Sequence, residues 1–222
     1  MTQPALEFRG VSKAYGAREV LSDAHGSIQP GEVIVLLGPS GSGKSTLVTL
    51  AAGMDEPDAG AVLVAGQDLA ALSERERTLL RRRRIGLVFQ AYNLIPELTV
   101  AENLRLRHAL DGKEAGSRVD ALLAEVGLAG RGGEHPDHLS GGEQQRVAIA
   151  AALIHEPTLV LADEPTGALD AATAATVVDL LVRLTRGRGG SLVFVTHNPD
   201  YVAIADRVWR LVDGKIVVGS DA

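Results

Sequence analysis

The stretch GPSGSGKS at residues 38–45 fills every fixed position of the pattern G-x-x-x-x-G-K-[ST], and Thr46 follows it. Glycines let such a loop wrap tightly with its N–H groups turned inward, and the start of a following helix adds partial positive charge. Both features favour a bound polyphosphate. Lys44 is placed to reach the outer phosphates, and the Ser45 hydroxyl to ligate Mg²⁺. The flanks agree. Val33–Leu37 is an unbroken apolar run between Gly31 and Gly38, which predicts a strand buried on both faces. A helix is expected from Lys44. The motif points to a nucleotide and its phosphates; it does not say what the released energy does.

Working outward, short strands are expected at 6–9, 62–65, 85–90, 159–162 and Ser191–Thr196. Residues 73–83 read as a helix, with Ser73 as cap and Glu76 three residues on. Further helices are expected at 100–110, 117–126, 142–154 and 171–185. Asp213-Gly214, between apolar runs at 208–212 and 215–218, reads as a hairpin turn. The pattern is an α/β core with an antiparallel β fringe and a helical insertion over roughly 92–155.

The run LVLADE at 159–164 is an apolar strand that ends in two acids. Acids at the carboxyl end of a buried strand lie near the ligand crevice of an open α/β sheet. Asp163 is expected to hold Mg²⁺ through water. Glu164 is expected to orient and polarise the attacking water as general base.

LSGGEQQR at 139–146 resembles the signature motif of ABC ATPases. Taken alone, Ser-Gly-Gly before a helix is either another anion-binding helix start or a simple serine cap. The family resemblance implies more. In it, two copies pack head to tail, and the signature of one caps the γ-phosphate held by the other. Leu139, Ser140, Gly141, Gly142, Glu143 and Gln144 would then act on the partner's ATP. Gly38, Pro39, Ser40, Gly41, Ser42, Gly43, Lys44, Ser45 and Thr46 would bind the chain's own.

Other motifs fall in the family order. Tyr15, in VSKAYG, resembles the aromatic that stacks on adenine. Gln90, ending IGLVFQ, resembles the glutamine that links Mg²⁺ and the attacking water to a membrane partner. Asp170, in ALD, resembles the loop that couples the two sites across the dimer. His197, in VTHNPD, resembles the histidine that contacts the γ-phosphate and orients Glu164. The resemblance runs over about residues 6–218. It implies a P-loop NTPase, RecA-like core that uses ATP and Mg²⁺, forms a homodimer, and serves an integral membrane permease. QAYNLIPELTVAENL and ADEPTGALD are similar to the lipoprotein-release and macrolide-exporter type. Two positions depart from relatives: Ala151 stands where Arg is common, and Ala168 where Asn is common. Neither is an expected catalytic group.

Composition removes other classes. The formal net charge is −6, which argues against a nucleic-acid binder that needs a basic surface. There is no cysteine, so disulfides and Cys-ligated zinc are excluded. The opening MTQPALEFRG has no basic-then-apolar signal pattern. The longest apolar run, 147–154, falls well short of the roughly 20 residues of a membrane helix. The expected location is therefore the cytoplasmic face of the membrane, held there by the permease. A non-transporting mechanical role through a membrane partner, and a nucleic-acid-linked ABC ATPase, are the alternatives. Arg81–Arg84 reads as a solvated helix end where cations suit the dipole, with a nucleic-acid patch as the other option. His135 and His138 have metal-like spacing but no further ligands nearby. The apolar residues of 92–98 suit either a docking face or subdomain core.

Overall fold

Strand β3, Val33–Leu37, is buried along its whole length and divides the molecule into two apolar layers. Val33, Val35 and Leu37 face one layer; Ile34 and Leu36 face the other. This two-sided burial is why the run shows no polar alternation. The computed structural model describes residues 3–109 and 117–219.

Around β3 lies a six-stranded sheet of β6 (Ile85–Phe89), β7 (Leu159–Asp163), β8 (Ser191–Thr196), β9 (Arg207–Val212) and β10 (Lys215–Gly219). Its order is β10-β9-β3-β8-β7-β6. All neighbours are parallel except the β9–β10 pair. That pair turns through Asp213 (φ 48°) and Gly214 (φ 74°), the two positive values that a tight hairpin of this hand requires. In register, Leu37 pairs with Thr196, Val195 with Asp163, and Asp163 with Phe89. The parallel strands β3, β8, β7 and β6 therefore end at one edge. Gly38, His197, Glu164 and Gln90 each follow directly.

A second, antiparallel sheet has the order β2-β1-β4-β5. It is built from β1 (Leu6–Tyr15), β2 (Arg18–Ile28), β4 (Ala59–Val64) and β5 (Gln67–Asp68). The sequence patterns predict strands at 6–9 and 62–65 but do not reveal β2. Two features hide it. Its alternation is broken at Asp23, which has φ 49° beside a shift in the β1–β2 register. It also carries Gly26, where a Cβ would lie 2.9 Å from the Trp209 ring. That glycine is required by a tryptophan far along the chain.

Helix α1, Lys44–Ala51, follows the phosphate loop, and α2, Glu74–Arg84, leads into β6. The expected capping box is present: Glu76 accepts from the Ser73 N–H at 2.8 Å while Ser73 Oγ accepts from the Glu76 N–H. The arginine run is not uniformly solvated. Arg81 is half-buried and donates to the carbonyls of Ala52 (3.2 Å) and Gly53 (2.8 Å), satisfying groups that the end of α1 leaves free. Arg83 and Arg84 are exposed.

Between β6 and β7 run α3 (Val100–Ala109), α4 (Arg118–Glu125) and α5 (Gly141–Leu153). Leu110, the expected end of the first of these, lies outside the described residues. Helix α6, Ala171–Gly187, precedes β8. Val119, Leu122 and Leu123 of α4 join Val147, Ile149 and Leu153 of α5 and Val177 and Leu181 of α6 in the core layer on one face of the sheet.

Candidate functional site: a phosphate loop beside two acids

The phosphate loop turns where its glycines permit. Gly41 has φ 76° and Gly43 φ 105°, values that side chains with a Cβ rarely adopt. A Cβ on Gly43 would also stand 2.7 Å from Val20 Cγ1. Lys44 is buried. Its ammonium donates to the Gly38 carbonyl (2.7 Å) and the Pro39 carbonyl (3.0 Å). It also lies 4.0 Å from Glu164 Oε1. From β2, Arg18 donates to the Gly41 carbonyl at 2.8 Å. Sequence reasoning missed this residue, because only the fold sets β2 against the loop.

Asp163 ends β7 and Glu164 follows in a left-handed conformation, φ 48°. The Glu164 N–H donates to the Val195 carbonyl at 3.0 Å, and Glu164 Oε2 lies 3.0 Å from His197 Nδ1. This carboxylate thus stands between the loop lysine and the histidine. Burial pushes the Asp163 carboxyl up, against the Ser45 hydroxyl and the Lys44 ammonium, which pull it down. Its Oδ1 is buried without a hydrogen-bond partner. A desolvated, unsatisfied carboxylate oxygen next to a serine hydroxyl fits a hard divalent cation completed by phosphate oxygens and water. Among the described residues, no group of three or more His, Asp or Glu could hold a metal by itself. His135 and His138 lie with their ring centroids 6.5 Å apart and belong to no such group. Gln90 completes this edge; a Cβ on Gly167 would lie 2.9 Å from its amide.

The Ser140 segment forms a different site. Ser140 caps α5 in a second capping box with Glu143, accepting from the Glu143 N–H while Glu143 Oε2 accepts from the Ser140 N–H at 2.8 Å and from its hydroxyl at 2.7 Å. Gln144 donates to the Leu139 carbonyl at 3.0 Å. Gly141 and Gly142 are small for a reason: a Cβ would press on the Tyr92 hydroxyl at the first and on the Thr173 methyl at the second. Both neighbours belong to segments other than the phosphate loop. Asp170 caps α6 by accepting from the N–H groups of Ala172 and Thr173, each at 3.1 Å. Tyr15 ends β1, is half exposed, and donates its hydroxyl to Asp55 Oδ2 at 2.7 Å. The structure therefore brings Lys44, Ser45, Asp163, Glu164, His197 and Gln90 to one sheet edge. It leaves Ser140–Gln144 as a separate helix start.

The segment after Gln90 divides between the two alternatives. Leu94 packs on the core, whereas Ile95 is exposed. Asn103 braces the loop: its Oδ1 accepts from the Ile95 N–H at 2.8 Å, and its Nδ2 donates to the Ile95 and Leu98 carbonyls, each at 3.1 Å.

Comparison with known proteins agrees with this fold. The ABC transporter family model matches residues 21–167. The chain is similar to the lipoprotein-releasing system ATP-binding protein LolD of Ruegeria pomeroyi, at 47% identity over 97% of this chain and 98% of that protein. It is also similar to an ABC transporter ATP-binding protein of Mycobacterium tuberculosis, at 49% identity over 97% and 90% of the two chains. Among solved structures, the dimeric ATP-binding cassette MJ0796 bound to ADP and phosphate matches with a TM-score of 0.86 at 36% identity, over 95% of this chain and 96% of that one.

Proposed function

The chain belongs to the ABC transporter family as an ATP-binding and ATP-hydrolysing subunit, closely related to the lipoprotein-release ATPases, and from that premise we propose how its residues carry the reaction. The loop from Gly38 to Thr46 holds the ATP phosphates with backbone N–H groups at the start of α1, and the Lys44 ammonium lies against the outer phosphates. Ser45, Asp163 and Gln90 would hold Mg²⁺, which would supply screening of the phosphate charge. Glu164 accepts the proton of the attacking water. His197 fixes the Glu164 carboxylate through the 3.0 Å contact at Nδ1. The observation that carries this reading is the seating of Glu164, with one oxygen toward Lys44 and the other on His197.

Two copies close on two ATP molecules, with Leu139–Gln144 of each set against the γ-phosphate held by the other and Asp170 linking the sites. Binding then acts as a switch between open and closed dimers. The helical subdomain, roughly 92–155, passes that closure through Gln90 to an integral membrane permease, with Ile95 on the docking face. No helix of the described residues is long and apolar enough to cross a membrane. The permease would hold the chain at the cytoplasmic face. The similarity to a lipoprotein-releasing protein supports lipoproteins as the cargo.

Glu164→Gln tests the chemical step. The expected result is a fall in turnover of about 10²–10⁴-fold with ATP binding retained. Unchanged turnover would remove Glu164 from the base role.

A further inference from the structure

At the end of β1, Lys13 and Tyr15 of VSKAYG meet Asp55, a residue some forty positions further along the chain. Lys13 is nine-tenths buried, which is unusual for a lysine unless it is paired. Its ammonium donates to Asp55 Oδ1 at 2.8 Å and to the Glu56 carbonyl at 2.6 Å. The other Asp55 oxygen accepts the Tyr15 hydroxyl at 2.7 Å. The same ammonium lies over the Tyr15 ring, 5.2 Å from its centroid, within range of a cation–π contact. Tyr15 is nonetheless 51% exposed. One face of the ring is therefore covered by a buried cation, and the exposed area belongs to the rest of the ring. Burial would raise the Asp55 carboxyl, but the bonds from Lys13 and Tyr15 leave it below the usual range. The bond to Asp55 raises the Tyr15 phenol, which keeps the hydroxyl protonated as a donor.

We propose that Lys13 and Asp55 are positioning residues for the nucleoside base: they lock the Tyr15 ring in one orientation, with its uncovered face presented as a flat platform beside the phosphate loop. A tyrosine at an exposed strand end would otherwise sample several rotamers, and a base stacking on it would have to order it. The bidentate use of Asp55 removes that cost in advance. Asp55 lies in the turn between α1 and β4, so it ties the platform to the element that carries Lys44 and Ser45. The base and phosphate subsites are then held at a fixed separation. This inference rests on the reading of Tyr15 as the base-stacking aromatic.

The test is calorimetric titration of the full chain, in the Glu164→Gln background, with Mg-ATP and separately with tripolyphosphate, which has no base. Tyr15→Phe keeps the ring and deletes the hydroxyl; it is expected to weaken ATP about 2–5-fold, in line with one lost hydrogen bond. Asp55→Ala is expected to weaken ATP by about 5–10-fold, since both bonds go. Tripolyphosphate affinity is expected to stay unchanged in both. A merely structural role would weaken both ligands together. Equal losses for ATP and tripolyphosphate, or no loss of ATP in Tyr15→Phe, overturn the proposal. If Asp55→Ala does not fold, Tyr15→Phe still decides. Tyr15→Ala separates the two levels: if it weakens ATP while Tyr15→Phe and Asp55→Ala do not, the platform stands and the positioning role falls. If Tyr15→Ala leaves ATP binding intact, the base-stacking reading itself is lost.

Discussion

Glu143 joins the helix start at Ser140 to the loop that precedes it. One of its oxygens accepts both the N–H and the hydroxyl of Ser140, and the other pairs with Arg131 at 2.9 Å. The Ser140 hydroxyl and N–H, and then Arg131, outweigh burial and hold its carboxyl down at about 2. A carboxyl whose folded pKa is depressed contributes stability that is fully present above its unfolded value and is lost as pH falls through the folded value. Here that window runs from the ordinary 4.5 down to about 2. Glu143→Gln keeps a capping side chain but removes the charge. It is expected to be less stable than the parent at neutral pH by a gap that stays constant down to about pH 5, then narrows as the parent's Glu143 is protonated. Urea denaturation of both proteins across this range checks it. A gap independent of pH between about 5 and 2.5 would show that the charge contributes nothing.

Helix α5 is pressed onto β6 more closely than side chains would allow. A Cβ on Gly86 would lie 2.5 Å from the Ala152 carbonyl oxygen and 3.1 Å from Pro157 Cγ. Backbone cannot rotate aside as a side-chain tip can, so the whole helix must shift. Gly86→Ala is expected to destabilise the chain by about 1–3 kcal/mol, as overpacking does, and each kcal/mol lowers the midpoint of a chain this long by about 2–4 °C. A thermal melt unchanged within a degree would contradict the close approach. The same packing explains what could be read before any coordinates. β3, the phosphate loop, the box at Ser73 and the Asp213-Gly214 turn each depend on residues adjacent in sequence, and all were legible. Gly86, Gly26 and Gly142 are set by Ala152, Trp209 and Thr173, and Arg81 by the end of α1. No local pattern announces such partners. The site divides in the same way. Lys44, Asp163 and Glu164 stand in motifs with a physical reason of their own. His197, Gln90 and Asp170 were readable only through family resemblance. Arg18, Lys13 and Asp55 were not readable, because their roles exist only once distant segments meet.

The chain carries two anion-suited helix starts that it does not bring together. α1 opens at Gly43 and Lys44, beside Asp163 and Glu164; α5 opens at Ser140, among Tyr92, Leu169 and Thr173. A monomer with one nucleotide has no evident use for the second, whereas two copies packed head to tail use both twice, as a two-fold interface requires. The related cassette MJ0796 is dimeric with ADP and phosphate bound. Ser40 and Ser140 are both exposed, and the chain has no cysteine of its own, so Ser40→Cys with Ser140→Cys introduces the only two thiols. In the Glu164→Gln background, ATP is expected to promote an inter-subunit disulfide between the two positions. ADP is expected to promote little, and a variant carrying either substitution alone should not form the cross-link that joins one position to the other. The product, resolved by gel under non-reducing conditions, should rise with ATP concentration in parallel with ATP binding, because closure and occupancy are linked. If ATP binds normally and no such product forms, Ser140 does not meet the partner's phosphate loop, and the capping box would be the whole role of that serine.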